Sequence, residues 1–369
     1  MSPDLRVRGT DPATGEPVDL AVSGGRIVDG AAAGAVTVTG FVLPGFVDAH
    51  CHVGYSPTGP ATIAEAEQQA LTNLQAGALA LRDCGSPVDT GELVDRDDLP
   101  VLIRAGRHVA FVKRYIRDLG VDLDDPDDLP AEVARQVAYG SGQWVKIVGD
   151  WIDRGAGDLA PLWPEDKLAE AVALAHAAGC RVTTHVFGED ALPGLLAAGV
   201  DCIEHGTGLT DETIATAAAQ GTHLVPTLIN IENFPAFAEQ ATRFPAYARH
   251  MRELYARNHE TVRAAVDAGI AVHAGTDAGG FIEHGRIADE VIAMGRLLGM
   301  RRALAAAAHE ARQWMRVPGT EVGAPADLVV FADDPVADPS VLQRPAVIIR
   351  AGRVVRGTVG AAARSHRLH

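Results

Sequence analysis

The chain has 369 residues, 47% of them hydrophobic and 22% charged, which is the balance of a folded globular protein and excludes disorder as its main character. Acidic residues outnumber basic ones by 48 to 32, a net charge of −16. That charge repels phosphate backbones and anionic lipid, so no nucleic acid and no membrane is expected as a partner.

The opening MSPDLRVRGTDPATGEP has no apolar signal core, and no charge-free run reaches the length of a membrane span. Four cysteines, Cys51, Cys84, Cys180 and Cys202, are scattered without a CxxC pair, so a reducing, cytoplasmic setting is expected. The first forty residues read as short Val-rich strands broken by Gly and Pro: LRVRGT, DLAVSGGRIVDG and AVTVTGFV. From about Leu43 to Pro318 apolar runs alternate with Ala-rich helical segments, several of them ending at Gly. The last fifty residues return to strands in ADLVVFADDP and AVIIRAGRVVRG, and AAARSHRLH reads as a frayed tail.

Strands alternating with helices imply parallel β-α units. Eight strand candidates at the spacing of a (β/α)8 TIM barrel, with no Gly-rich phosphate fingerprint, favour that barrel over a doubly wound sheet. The expected architecture is therefore α/β: a barrel over 43–318, inserted into a small β-sandwich built from 1–42 and 319–369.

In such a barrel the reactive side chains stand at the C-terminal ends of strands. The first strand ends in Asp48-Ala49-His50-Cys51-His52. Residues i and i+2 face the same way, so His50 and His52 offer two imidazoles to one site, with Cys51 turned away as a buried filler. The fourth strand, Gln143-Trp144-Val145-Lys146-Ile147-Val148, is apolar on both faces and points Lys146 inward. A buried amine tends to lose its proton and can then react with carbon dioxide to give an anionic carbamate. The competing role is an ion pair with a carboxylate such as Asp83. The fifth strand ends at His185, the sixth at Glu204-His205 and the eighth at Asp277. Four histidines, one lysine and one aspartate at strand ends form a metal-competent set, with a carboxylate available as general base.

PGFVDAHCH, WVKIVGD, TTHVFGEDALPGLLAAGVDCIEHG, VHAGTDAG and ADLVVFADDPVADP followed by VIIRAGRVV resemble, in order and over nearly the whole chain, the strands of the amidohydrolase superfamily. The resemblance is strongest to the branch of imidazolonepropionase-like and prolidase-like proteins, through IEHG and the later Pro226-Thr227-Leu228. It implies two divalent ions, zinc by default with manganese, iron or cobalt compatible. His50, His52 and Asp277 would hold the more buried ion and His185 and His205 the more exposed one. Lys146, carboxylated on Nζ, would bridge them together with a hydroxide. Asp277 would serve as general acid/base. The implied reaction is hydrolysis of a C–N bond in an amide, dipeptide, N-acyl amino acid or cyclic amide.

The alternative is a mononuclear deaminase or imidazolone-type hydrolase. Such relatives carry a Glu three residues after the strand-five histidine; here that position is Gly188, with Glu189 next. The substrate is expected to be a small molecule. Arg114 and Tyr115 after the third strand, His284 after the eighth and His223 near the seventh are its candidate contacts, with Lys113 beside them. His108 stays open between site and core. His273 is expected low in the barrel, and Glu204 on the face opposite His205. Homo-oligomerisation is compatible with this superfamily.

Overall fold

The computed structural model describes residues 3–30 and 34–358; the tail read as frayed lies outside them. Both ends of the chain meet in one seven-stranded sheet. Its strands run, edge to edge, Arg353–Arg356, Val347–Arg350, Leu328–Phe331, Val36–Pro44, Leu5–Thr10, Pro17–Ser23 and Arg26–Val28. The expected sandwich is thus hydrogen-bonded as a single continuous sheet. Its apolar side chains, among them Leu5, Val7, Val38, Leu328 and Ile349, gather in a core of their own. Arg350 and Arg312 both bond the buried Asp327, and Arg312 also donates to the carbonyl of Gly45 at 2.9 Å. That carbonyl separates the sheet strand Val36–Pro44 from the next strand, Phe46–Cys51, so the pairing seals the junction between sheet and barrel region.

The interior of the larger part is parallel sheet. Phe46–Cys51, Ala78–Asp83 and Val101–Arg104 form one sheet, and Val121–Leu123, Val109–Phe111, Trp144–Val148, Arg181–Val186, Cys202–His205 and His223–Val225 form another. The expected eighth strand is an extended segment held by single bridges. The amide of Leu224 donates to Ala271, that of Ala49 to Ala274 and that of Asp277 to His50, at 2.7–2.9 Å. It therefore links the last strand of one sheet to the first of the other, and the whole is TIM-barrel-like with an added terminal sheet.

Barrel strands buried on both faces need near-continuous apolar sequence, and WVKIV and ALALRD are buried at every position. Helices cover them. Thr62 and Thr210 open two of these with reciprocal capping boxes; Gly221 ends the second of them at a left-handed φ of 72°, and Gly199 ends another at 85°. Among the described residues no helix is long and apolar enough to cross a membrane.

Candidate active site

The C-terminal strand ends bring His50, His52, Lys146, His185, His205 and Asp277 together. His50 and His52 share a face as their spacing requires. Their Nε2 atoms lie 3.3 Å apart and 3.1 and 3.0 Å from Asp277 Oδ1. The proton positions follow from the other ring nitrogens. His50 Nδ1 faces Glu204 Oε2 at 2.7 Å and His52 Nδ1 faces the Gly85 carbonyl at 2.9 Å. A carboxylate and a carbonyl only accept, so each Nδ1 carries the proton and each neutral ring turns a bare Nε2 lone pair inward. Three acceptors then meet with no donor between them, which is repulsive without a cation. Burial resists charging of His50, and Lys146 opposes it too, but Glu204 and Asp277 outweigh both and raise its proton affinity. The same field favours a metal ion at this point.

The second pair repeats the logic. His205 Nδ1 lies 2.7 Å from Thr227 Oγ1, and His205 Nε2 lies 3.0 Å from His185 Nδ1. Burial lowers His205 to about 3 and takes His185 well below its usual value, so both stay neutral and able to donate lone pairs. His185 Nε2 is buried with no hydrogen-bond partner among the described residues.

Lys146 is 0% exposed and its Nζ has no hydrogen-bond partner among the described residues. The ion pair with Asp83 is not formed. Asp83 instead accepts from the amide of Gly85 at 3.1 Å, and burial pushes it up to about 8. Lys146 sits two residues below the level of His185, opposite Thr183 in the strand register. A buried amine surrounded by imidazoles has no structural use as a cation; as a carbamate it supplies two anionic oxygens to the ligand set. The residues present fit a metal centre: lone pairs and a carboxylate converge, with a buried amine close by.

Glu204 corrects the reading of its strand end. It does not face away from His205. His205 adopts φ of 67°, and this left-handed turn breaks the alternation so that both side chains point inward. Glu204 bonds His50, Arg82 at 2.7 Å and Thr183. Burial raises its pKa, but Arg82, then His50 and Lys146, more than compensate and hold it well below the usual range. Asn230, which the sequence did not single out, donates to Asp277 Oδ2 at 2.7 Å.

Of the substrate-contact candidates, the structure brings only Tyr115 to the cavity. Arg114 is withdrawn from it: its guanidinium bonds Asp153 at 2.9 Å and the carbonyls of Trp151 and Ala160, tying a loop to a hairpin. His223 is the first residue of its strand, not the last, so it lies at the opposite barrel end, bonded to His273 at 2.8 Å. His284 Nδ1 is engaged by Asn73 at 3.0 Å behind the loop, outside the cavity lining. His108 stacks on His52 with ring centroids 5.1 Å apart. The cavity over the ligands has a volume of about 310 Å³ and includes His52, Tyr115, Trp151, His185, Phe187, Asn230 and Asp277 in its walls.

A TIM-barrel-like sheet carrying imidazoles and a carboxylate at its C-terminal strand ends, under a pocket, defines a hydrolase of the barrel class. The sequence profile of the Amidohydrolase family matches residues 41–359, and the chain belongs to that family of C–N bond hydrolases. An uncharacterized protein of Mycobacterium tuberculosis is 56% identical over 352 residues, 95% of each chain. A solved Xaa-Pro dipeptidase with methionine in its active site shares the fold at TM-score 0.81 and 22% identity, covering 97% of this chain and 100% of the other. The A. niger ochratoxinase does so at TM-score 0.78 and 17% identity, covering 96% of each.

Proposed function

We propose that the chain is a binuclear amidohydrolase that cleaves the C–N bond of a small amide. His50, His52 and Asp277 would hold one divalent ion, His185 and His205 the second, and Lys146, carboxylated on Nζ, would contact both. Zinc suits this set of imidazole, carbamate and carboxylate donors. When bound, the ions lower the pKa of a water toward neutrality and polarise the substrate carbonyl. Carbamate formation would join Nζ to the carbon of carbon dioxide with loss of one N–H proton.

The chain's own residues do the rest. Asn230 cannot change protonation state, so its bond to Asp277 Oδ2 keeps that oxygen an acceptor and fixes the carboxylate. The Asp277 carboxylate would take a proton from the attacking water and return it to the leaving nitrogen. A cation held beside it would keep it ionised at the start. Glu204 keeps His50 in the tautomer that exposes its inward nitrogen, and Thr227 holds the ring of His205 in place.

The observation that carries this reading is the buried, partnerless Nζ of Lys146 among four histidines. The mononuclear alternative is disfavoured by Glu189, whose carboxylate is held by His250 at 2.8 Å and by Arg257 and so is committed elsewhere. Elemental analysis of protein expressed with zinc and bicarbonate tests the proposal. About two metals per chain are expected, falling to about one or fewer in Lys146→Ala, with a carbamate carbon resonance from labelled bicarbonate in the wild type only. Two metals and full amidase activity in Lys146→Ala would overturn it. About one metal in the wild type, with turnover of aminated heterocycles, would replace it by the mononuclear reading.

A further inference from the structure

The cavity wall names a substrate class. Its lining contains no lysine and no arginine; Asp277, a carboxylate, carries its only fixed charge beside the two ligand imidazoles His52 and His185. Arg114, next in sequence to the lining residue Tyr115, spends its guanidinium on Asp153 and two carbonyls, and Lys113 is exposed and outside the lining. A substrate carboxylate lying against this wall, away from the proposed ions, would meet no lysine or arginine among the lining residues, and its desolvation would go unrepaid.

What the wall offers is aromatic surface. Tyr115 meets Trp151 edge-on, with centroids 4.7 Å apart, and Trp151 borders Phe187 at 6.1 Å. Tyr247 closes another side. At the mouth Phe237 packs against Phe281 at 4.7 Å. Phe281 is 66% exposed, yet it is not on a wandering loop. It follows Gly279, whose φ of 127° presses the backbone so close to His52 that an added Cβ would lie 2.7 Å from the His52 carbonyl. The loop is thereby seated on a ligand residue, and its phenyl ring extends the pocket wall outward. Aromatic rings of this kind recognise flat apolar groups by offset and edge-on stacking.

Resting on the amide-hydrolase reading above, we propose that the pocket takes neutral amides bearing an aromatic group beyond the scissile bond, and discriminates against substrates that carry a free carboxylate there, as dipeptides and N-acyl amino acids do. An aromatic wall could also hold a cation. The acids that would support one are already engaged: Asp153 by Arg114, Asp158 by His250, and Asp277 by His50, His52 and Asn230.

The test uses zinc-loaded full-length protein and three amides of one shape: benzanilide, its 4-carboxylate on the aniline ring, and its 4-aminomethyl counterpart. Benzoate release gives kcat/KM. Calorimetry with the corresponding ketones, in which CH2 replaces the amide NH, gives Kd without turnover. Benzanilide and its ketone should exceed both charged analogues by about tenfold or more in each quantity, and Phe281→Ser, at an exposed position, should narrow the gap. Equal or better performance by the carboxylate or the ammonium compound overturns the proposal, as does failure of the neutral ketone to bind. A neutral ketone that binds selectively while no amide is cleaved leaves the pocket assignment standing and removes the reaction. Cleavage that favours the carboxylate does the reverse.

Discussion

The barrel holds two groups of histidines, and their contrast separates a ligand from a filler. At the C-terminal strand ends, His50, His52, His185 and His205 spend one nitrogen each on positioning, or leave it unpartnered, and aim the other into common space. At the other end, His223 and His273 bond each other at 2.8 Å, and His273 Nδ1 reaches the Ala306 carbonyl at 3.4 Å. That carbonyl only accepts, so His273 is protonated on Nδ1 and receives the His223 proton on Nε2. Trp314 stacks on the His273 ring at 4.2 Å and 8°, and burial, with Arg181 and Arg82 nearby, lowers His223 to about 4. The lower pair bonds to itself and to a backbone carbonyl, with no carboxylate; in the upper set two Nε2 atoms meet the Asp277 carboxylate and His185 keeps an unpartnered Nε2 among the described residues. Residue type is the same in both places, and the destination of the lone pairs decides the chemistry.

Four substitutions probe that contrast. Asp277→Asn removes the proton acceptor and one ligand, and should lower kcat/KM by about 10³-fold or more on the first amide found to turn over; near-normal steady-state rates would remove Asp277 from the reaction. Glu204→Gln leaves His50 an acceptor but strips the charge facing Arg82. Metal affinity, measured by chelator competition, should fall about 10- to 100-fold, whereas an unchanged affinity would reduce Glu204 to packing. His273→Phe keeps the stack and deletes the bonds. Urea unfolding should show a loss of about 1–3 kcal/mol with metal content and kcat intact, and any loss of metal would erase the distinction between the two groups.

The smallest effect concerns His250, which links Asp158 and Glu189. Their hydrogen bonds raise its pKa from 6.5 to about 9. A raised histidine stabilises the fold fully below the unfolded value and loses that contribution as pH climbs through the folded one. The wild-type Tm should therefore carry a component that declines between pH 6.5 and about 9. His250→Gln should flatten that slope; parallel Tm-against-pH curves would show that the ion pairs contribute nothing.

Much of the site was legible because strand geometry is regular. The HxH spacing, the inward Lys146 and the terminal strands all follow from a period of two. What was misread lies where regularity stops. Asp277 and His205 stand at φ of 59° and 67°, and such a turn at the end of a strand redirects a side chain that alternation would place elsewhere; Glu204 was misassigned for this reason. His223 was placed at the wrong end because HLV is only three residues long, and a short apolar run does not say which of its ends meets the pocket. Arg114 looked available because its partner Asp153 is 39 residues away. Asn230 and the aromatic wall come from turns and helices that approach one another only in the folded barrel, and no local period announces them.

Arg82 carries one more consequence. Fully buried, it donates to the Ala49 carbonyl at 2.6 Å and to Glu204 at 2.7 Å, and its guanidinium rests against the edge-on pair of Trp144 and Trp314, at 4.4 and 4.8 Å from their ring centres. Trp314 belongs to the helix His309–Trp314, synthesised after every proposed ligand. The cation that steadies Glu204, and through it His50, is thus caged by a ring the ribosome delivers late. Any grip on an ion that depends on the Glu204–His50 contact should therefore depend on the helix His309–Trp314 being in place.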